Sequence, residues 1–224
     1  MPPMLDLMKI DIKKFNLKRL PVHFLIATIP IALMALVMSI SAGSLILSVS
    51  EAVAIIVRPV FIIWEGILIS KIVVDEFKNK NILMLYTYPV DKRKLLVSKT
   101  LLVAGYSLLG IIGTQIILAL VFGGLSLVIP GIPFALTMGQ MFSYIVSSVM
   151  VILLGLIPLA AGLMTYSGVA TVIVSLVIVL MGSTSGLGFD QLLSEFWFIA
   201  GLALVGITSA IGAITYTLKK DTIV

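Results

Sequence analysis

The chain has 224 residues, 60% hydrophobic and 11% charged, with a mean hydropathy of +1.24. Soluble domains carry about 25% charged residues, so this composition excludes an ordinary water-soluble protein and fits a bilayer. The net charge is +5, but 14 of the 15 Lys and Arg lie in three short segments beside apolar runs. That distribution fits membrane flanks and gives no reason to expect nucleic acid.

The first 20 residues hold seven charges and no small-residue cleavage site behind a short apolar core, so no removable leader is expected. Residues 4–20 predict a helix lying in the membrane interface. At about 100° per residue, Met4, Leu5, Met8, Ile12 and Phe15 share one face, with Lys9, Lys13 and Lys14 elsewhere. Asp11 interrupts one edge of that face, and a solvated basic leader is the alternative. Pro21 then turns the chain into the first apolar run.

Six runs are long enough to cross about 30 Å of hydrocarbon: residues 22–42, 52–73, 100–121, 138–160, 166–182 and 196–217. The expected fold is all-α, a single polytopic domain over 1–224 with six transmembrane helices. Basic residues set its orientation. Five precede the first run, seven lie between the second and third (Lys71, Lys78, Lys80, Lys92, Arg93, Lys94, Lys99), and Lys219 and Lys220 follow the sixth. With six spans all three groups share one side. The positive-inside rule makes that side, and both termini, cytoplasmic. The expected location is a bacterial cell membrane.

Between runs, Phe122–Ala135 reads as an apolar outer loop, with Gly123-Gly124 and Pro130-Gly131-Ile132-Pro133 as turn signals. The connection near Ala161–Thr165 reads as short and uncharged. The last outer loop carries Asp190 and Glu195. Small residues four apart (Gly110 and Thr114, Gly206 and Ala210, Thr208 and Gly212) predict close helix packing within the chain, or a seam between copies.

Catalytic chemistry is hard to build from these residues. The chain has no Gly-Lys dipeptide and so no G-x-x-x-x-G-K phosphate loop. It has no cysteine, and one histidine, His23, cannot hold zinc alone. The chain is expected not to be an enzyme and to carry no cofactor or metal of its own.

The second span contains Arg58 and Glu65, with Glu51 at its outer edge. Spaced by seven, these three fall within about 20° of one line and are separated by roughly 10.5 Å along the helix. Charges inside spans are costly and mark function. One reading is a polar stripe facing a translocation path. The other is a snorkelling Arg58 with interhelical contacts at Glu65.

The segment between the second and third spans, about 75–99, is far longer than a usual connection. Charges come first, then an apolar and aromatic stretch from Ile82 to Tyr88, then Pro89, and Asp91 placed to cap the next helix. An apolar cytoplasmic patch flanked by basic residues wants a partner; a helix resting on the bilayer is the alternative.

Here the sequence resembles ABC-2 type transporter permeases. Glu76, then Pro89-Val90-x-x-Arg93, then Ser98-Lys99 opening a span are similar to that family's intracellular loop, and the order of parts agrees along the whole chain. Asn79-Lys80-Asn81 departs from the family's usual Gly-Thr. The resemblance implies a cytoplasmic coupling helix within 75–93, engaging a separate ABC ATPase subunit that carries ATP and Mg. It also implies a second permease copy, identical or related. Glu76, Ile82, Leu83, Leu85, Tyr86, Pro89 and Arg93 would carry the coupling, and Arg58 and Glu65 would line the path. Small Gram-positive members serving peptide export or bacteriocin immunity imply an amphipathic peptide or other hydrophobic cargo. A secondary transporter centred on Glu65, and a non-transporting membrane scaffold or sensor subunit, remain as other classes.

Overall fold

The computed structural model of the chain describes residues 12–13, 20–41, 49–78, 92–128, 138–184 and 196–220. All regular structure among them is helical. In chain order it comprises α1 (Leu20–Ser41), α2 (Val49–Ile69), a π-helical turn (Ser70–Val74), α3 (Asp75–Lys78), α4 (Lys92–Val128), α5 (Met138–Thr165), α6 (Gly168–Thr184) and α7 (Phe196–Lys220). Two stretches are long and apolar enough to cross a membrane by length and composition, Arg93–Leu127 with 35 residues and Tyr144–Thr165 with 22. Prolines lie inside α1, α2 and α5 at Pro30, Pro59 and Pro158, a placement that membrane helices tolerate better than soluble ones.

α2 is the hub of the bundle. It packs against α1, α4, α5 and α6, while α7 lies along α5. Two apolar clusters hold these helices together. One joins Ile31 and Ala35 of α1, Val57, Phe61 and Ile62 of α2, Ile111, Leu118 and Phe122 of α4, and Val151 and Leu154 of α5. The other joins Ile69, Val73 and Val74 to Leu96, Leu102 and Val103 of α4, Leu159 and Leu163 of α5, and Ala210 and Ala213 of α7. Outward faces stay apolar: Val169, Ile173, Leu176, Val177, Leu180 and Met181 are all exposed along α6, a surface suited to lipid rather than water.

Small residues permit the closest approaches. A Cβ on Gly206 would collide with the carbonyl of Leu153, so α5 and α7 touch backbone to backbone. Gly110 is similarly closed by the rings of Phe24 and Phe61. Gly110, Thr114, Gly206 and Ala210 therefore pack within the chain. Thr208 and Gly212 face outward instead, and a Cβ at Gly212 would meet open space.

Three expected boundaries move. Phe122–Val128 is the end of α4 and not a loop, and the Gly123-Gly124 pair lies inside that helix with Ser126 Oγ donating to the Gly123 carbonyl at 2.8 Å. At its other end α4 begins at Lys92, eight residues before the expected span. Its 37 residues extend about 55 Å, well beyond a hydrocarbon core of about 30 Å. Ala161–Thr165 is the last turn of α5, and the reversal into α6 is only Tyr166 and Ser167.

That reversal is a compact cap. Tyr166 takes φ 51°, and the Ser167 N–H donates to the Gly162 carbonyl at 3.3 Å, closing a Schellman-type turn. Ser167 then caps α6 by accepting the Ala170 N–H at 3.5 Å on its side chain.

Of the expected interfacial helix over 4–20, Ile12 and Lys13 are described before α1 begins at Leu20. Both are helical, with Ile12 packed on the second apolar cluster and Lys13 exposed. The remainder lies outside the described residues, as does the last outer loop from 185 to 195.

Candidate functional site

The polar groups gather in two places, one at an end of the bundle and one inside it. At the end, α2 does not run straight into α3. Between them the π-helical turn takes up one residue more than an α turn, with the Asp75 N–H donating to the Ser70 carbonyl. The consequence for Glu76 is directional. In an unbroken α-helix, Glu76 would lie 11 residues past Glu65 and within about 20° of the same face. The extra residue turns it by about 100°, away from that face.

Glu76 thereby reaches Lys99 of α4, and the two form an ion pair. Their side chains retain 15% and 2% exposure respectively. The lysine stem is enclosed beside Leu96, Leu102 and Val103, all buried. A cation there requires an anion, because an unpaired buried charge costs several kcal/mol. The α5–α6 reversal sits at this same end: a Cβ on Gly168 would collide with Ser70 Oγ and lie 3.1 Å from Asp75 Oδ1. A Cβ on Gly162 would likewise strike Thr171 and come within 2.7 Å of Val74. Four elements thus converge where the 79–91 segment leaves and re-enters the bundle.

Arg93 lies in the first turn of α4, on its exposed side. Ile82, Leu83, Leu85, Tyr86 and Pro89 lie outside the described residues, as does the capping residue Asp91. The structure therefore brings Glu76 and Arg93 to one end of the bundle and describes no contact for the apolar patch between them.

Inside the bundle, Arg58 is 5% exposed and Glu65 is 0% exposed. Both are buried within the chain. Glu65 lies directly on Gly155 of α5, whose missing side chain makes room for the carboxyl group. Neither carboxyl oxygen has a hydrogen-bond partner among the described residues. Nearby, Gly66 admits Ser175 of α6, with a Cβ there only 2.6 Å from Ser175 Oγ. Ser148 of α5 donates to the Tyr144 carbonyl at 2.7 Å and lies 3.3 Å from Gln115 Oε1 of α4. Two serines of α4, Ser98 and Ser107, also have buried hydroxyls without partners among the described residues. Between α1 and α4 lies an apolar cleft of about 310 Å³, lined by Phe24, Tyr106, Leu109, Gly110, Gly113, Thr114 and Ile117.

Reasoning from the sequence weighed Glu76, Arg58 and Glu65 but missed two things. In the sequence Lys99 only closes a motif, although a lysine set against Leu96, Leu102 and Val103 signals a buried partner. The π turn and the glycine contacts at Gly155, Gly162 and Gly168 have no readable pattern in a run of apolar residues.

No family model and no solved structure matches the chain. The uncharacterized protein YcbO of Bacillus subtilis (strain 168) is 34% identical over 182 residues, covering 78% of this chain and 79% of that protein. Likeness of that extent, across most of both chains, shows common descent: this protein belongs to the same family as YcbO.

Proposed function

We propose that this protein is the membrane-spanning permease subunit of an ATP-driven exporter of the ABC-2 type. Six helices cross the bacterial cell membrane, both termini are cytoplasmic, and a second permease copy completes the path. A separate ATPase subunit, carrying ATP and Mg, binds the 75–93 segment. One observation carries this reading. The two roots of that segment are tied by the buried Glu76–Lys99 pair, against helices that run the length of the bundle. Force applied to the segment by a partner would therefore be passed to α2 and α4 and not lost in a slack loop. The absence of a phosphate loop from the sequence agrees with an ATPase on another polypeptide. The apolar cleft and apolar helix faces suit an amphipathic peptide or another hydrophobic cargo.

The test is capture of the full chain from membranes in mild detergent, with identification of what accompanies it. A stoichiometric ATPase bearing a phosphate loop is the expected result, lost when Pro89 and Arg93 are replaced together. A homo-oligomer with no ATPase would overturn the reading. It would favour a secondary transporter, for which buried Glu65 is the specific motive: such proteins place ion-coupling groups near the membrane midplane.

A further inference from the structure

We propose that Lys99 is a positioning residue for coupling: through Glu76 it clasps the root of the 75–93 segment to α4, so that α2 and α4 move with that segment as one body. The proposal rests on the exporter reading for its functional consequence and on described residues alone for its geometry.

Three observations support it. First, the pair is placed where a stabilising role would be better filled by apolar side chains. Lys99 lies beside Leu96, Leu102 and Val103 in an otherwise apolar cluster, and buried ion pairs are on average no more stabilising than the apolar residues that could replace them. Their best-attested use is to fix register between elements. Second, the pair depends on a backbone irregularity. Without the π-helical turn, Glu76 would share the face of Glu65, which lies against α5. The extra residue redirects it to α4, and π turns of this kind are frequent at functional positions. Third, the turn is held from the other side. Gly168 seats against Ser70 and Asp75, and Gly162 against Val74, so the α5–α6 reversal supports the same few residues. A segment fixed at both roots transmits displacement; one fixed by its own chain connectivity alone absorbs it.

The chain has no cysteine, which permits a direct measurement. Lys71 and Lys94 are exposed on the two sides of the clasp. Replaced by cysteine and spin-labelled, they report the distance distribution between the roots. Four backgrounds are compared: the native pair, Lys99→Met, Lys99→Arg, and the exchanged pair Glu76→Lys with Lys99→Glu. Each is purified as the full chain with whatever ATPase it captures, and ATP hydrolysis by that complex is measured.

The expected result is a narrow distribution for the native, Lys99→Arg and exchanged proteins and a broad one for Lys99→Met. ATPase capture persists in Lys99→Met while hydrolysis by the complex falls about tenfold, and the exchange restores most of it. A Lys99→Met protein with a narrow distribution and full hydrolysis overturns the proposal. So does an exchanged protein that folds but keeps the Lys99→Met behaviour. If the native chain captures no ATPase, the exporter reading fails by itself. The distance distribution then judges the clasp alone, and an unchanged width in Lys99→Met overturns that as well.

Discussion

Glu65 and its neighbour Gly155 show how a single missing side chain shapes the interior. The carboxyl occupies the space a Cβ on Gly155 would fill. Gly155→Ala therefore overpacks the α2–α5 contact and is expected to cost about 1–3 kcal/mol, read as a lower melting temperature in detergent. In a Glu65→Ala background that cost should vanish, because the two groups compete for one volume. Glu65→Leu separates the two readings of the carboxyl. Removing a buried polar group that has no hydrogen-bond partner among the described residues should leave stability equal or higher. If Glu65 serves the path, transport should nevertheless fall about tenfold or more; unchanged transport would assign it to packing. Gly206 gives a parallel case with a built-in control. Gly206→Ala drives a methyl into the Leu153 carbonyl and should cost about 1–3 kcal/mol. Gly201→Ala, which meets open space, should change stability by no more than about 0.5 kcal/mol.

At the scale of the element, helix identity follows from local sequence and helix termination does not. α4 passes through Gly123-Gly124 without a break, since a glycine weakens a helix by about 1 kcal/mol and does not by itself end one. The α5–α6 reversal needs no glycine at its left-handed residue, which is Tyr166; the strain is offset by the capping bonds around Gly162 and Ser167. The π-helical turn is the element with the longest reach. Deleting Lys71, an exposed residue of that turn, should convert it to an ordinary α turn and leave Glu76 aimed at Lys99, because the turn and its extra residue vanish together. Cysteines at 76 and 99, which are expected to cross-link in the native length, should then still do so. Loss of cross-linking after the deletion would show that the turn does not absorb one extra residue.

For the whole molecule, the contacts of Gly168 with Ser70 and Asp75 put the α5–α6 reversal at the same end as Glu76 and Lys99. Under the six-span arrangement that end is cytoplasmic, which supplies an orientation for helices with no Lys or Arg between Thr100 and Leu218. Single cysteines test it. A membrane-impermeant maleimide should label Met138→Cys, at the start of α5, in intact cells. It should label Thr165→Cys only in inverted vesicles. Labelling of both from one side would exclude an odd number of crossings by α5 and with it the six-span arrangement.

The amino-acid sequence by itself determined where helices lie and that the chain prefers lipid. Both depend on composition along a line: runs of apolar residues against short charged segments. It also marked Arg58 and Glu65, because charge within such a run is costly wherever the chain goes, and Glu76 only through the resemblance of its loop to ABC-2 type permeases. Only the tertiary structure decided what those charges meet. Glu65 faces a glycine 90 residues away in α5, and Glu76 finds Lys99 only because one extra residue in a helical turn redirects it. Neither relation has a sequence signature, since each depends on the rotation of one helix about its axis and on the depth at which a second passes it. Those two quantities are set by the packing of the whole bundle.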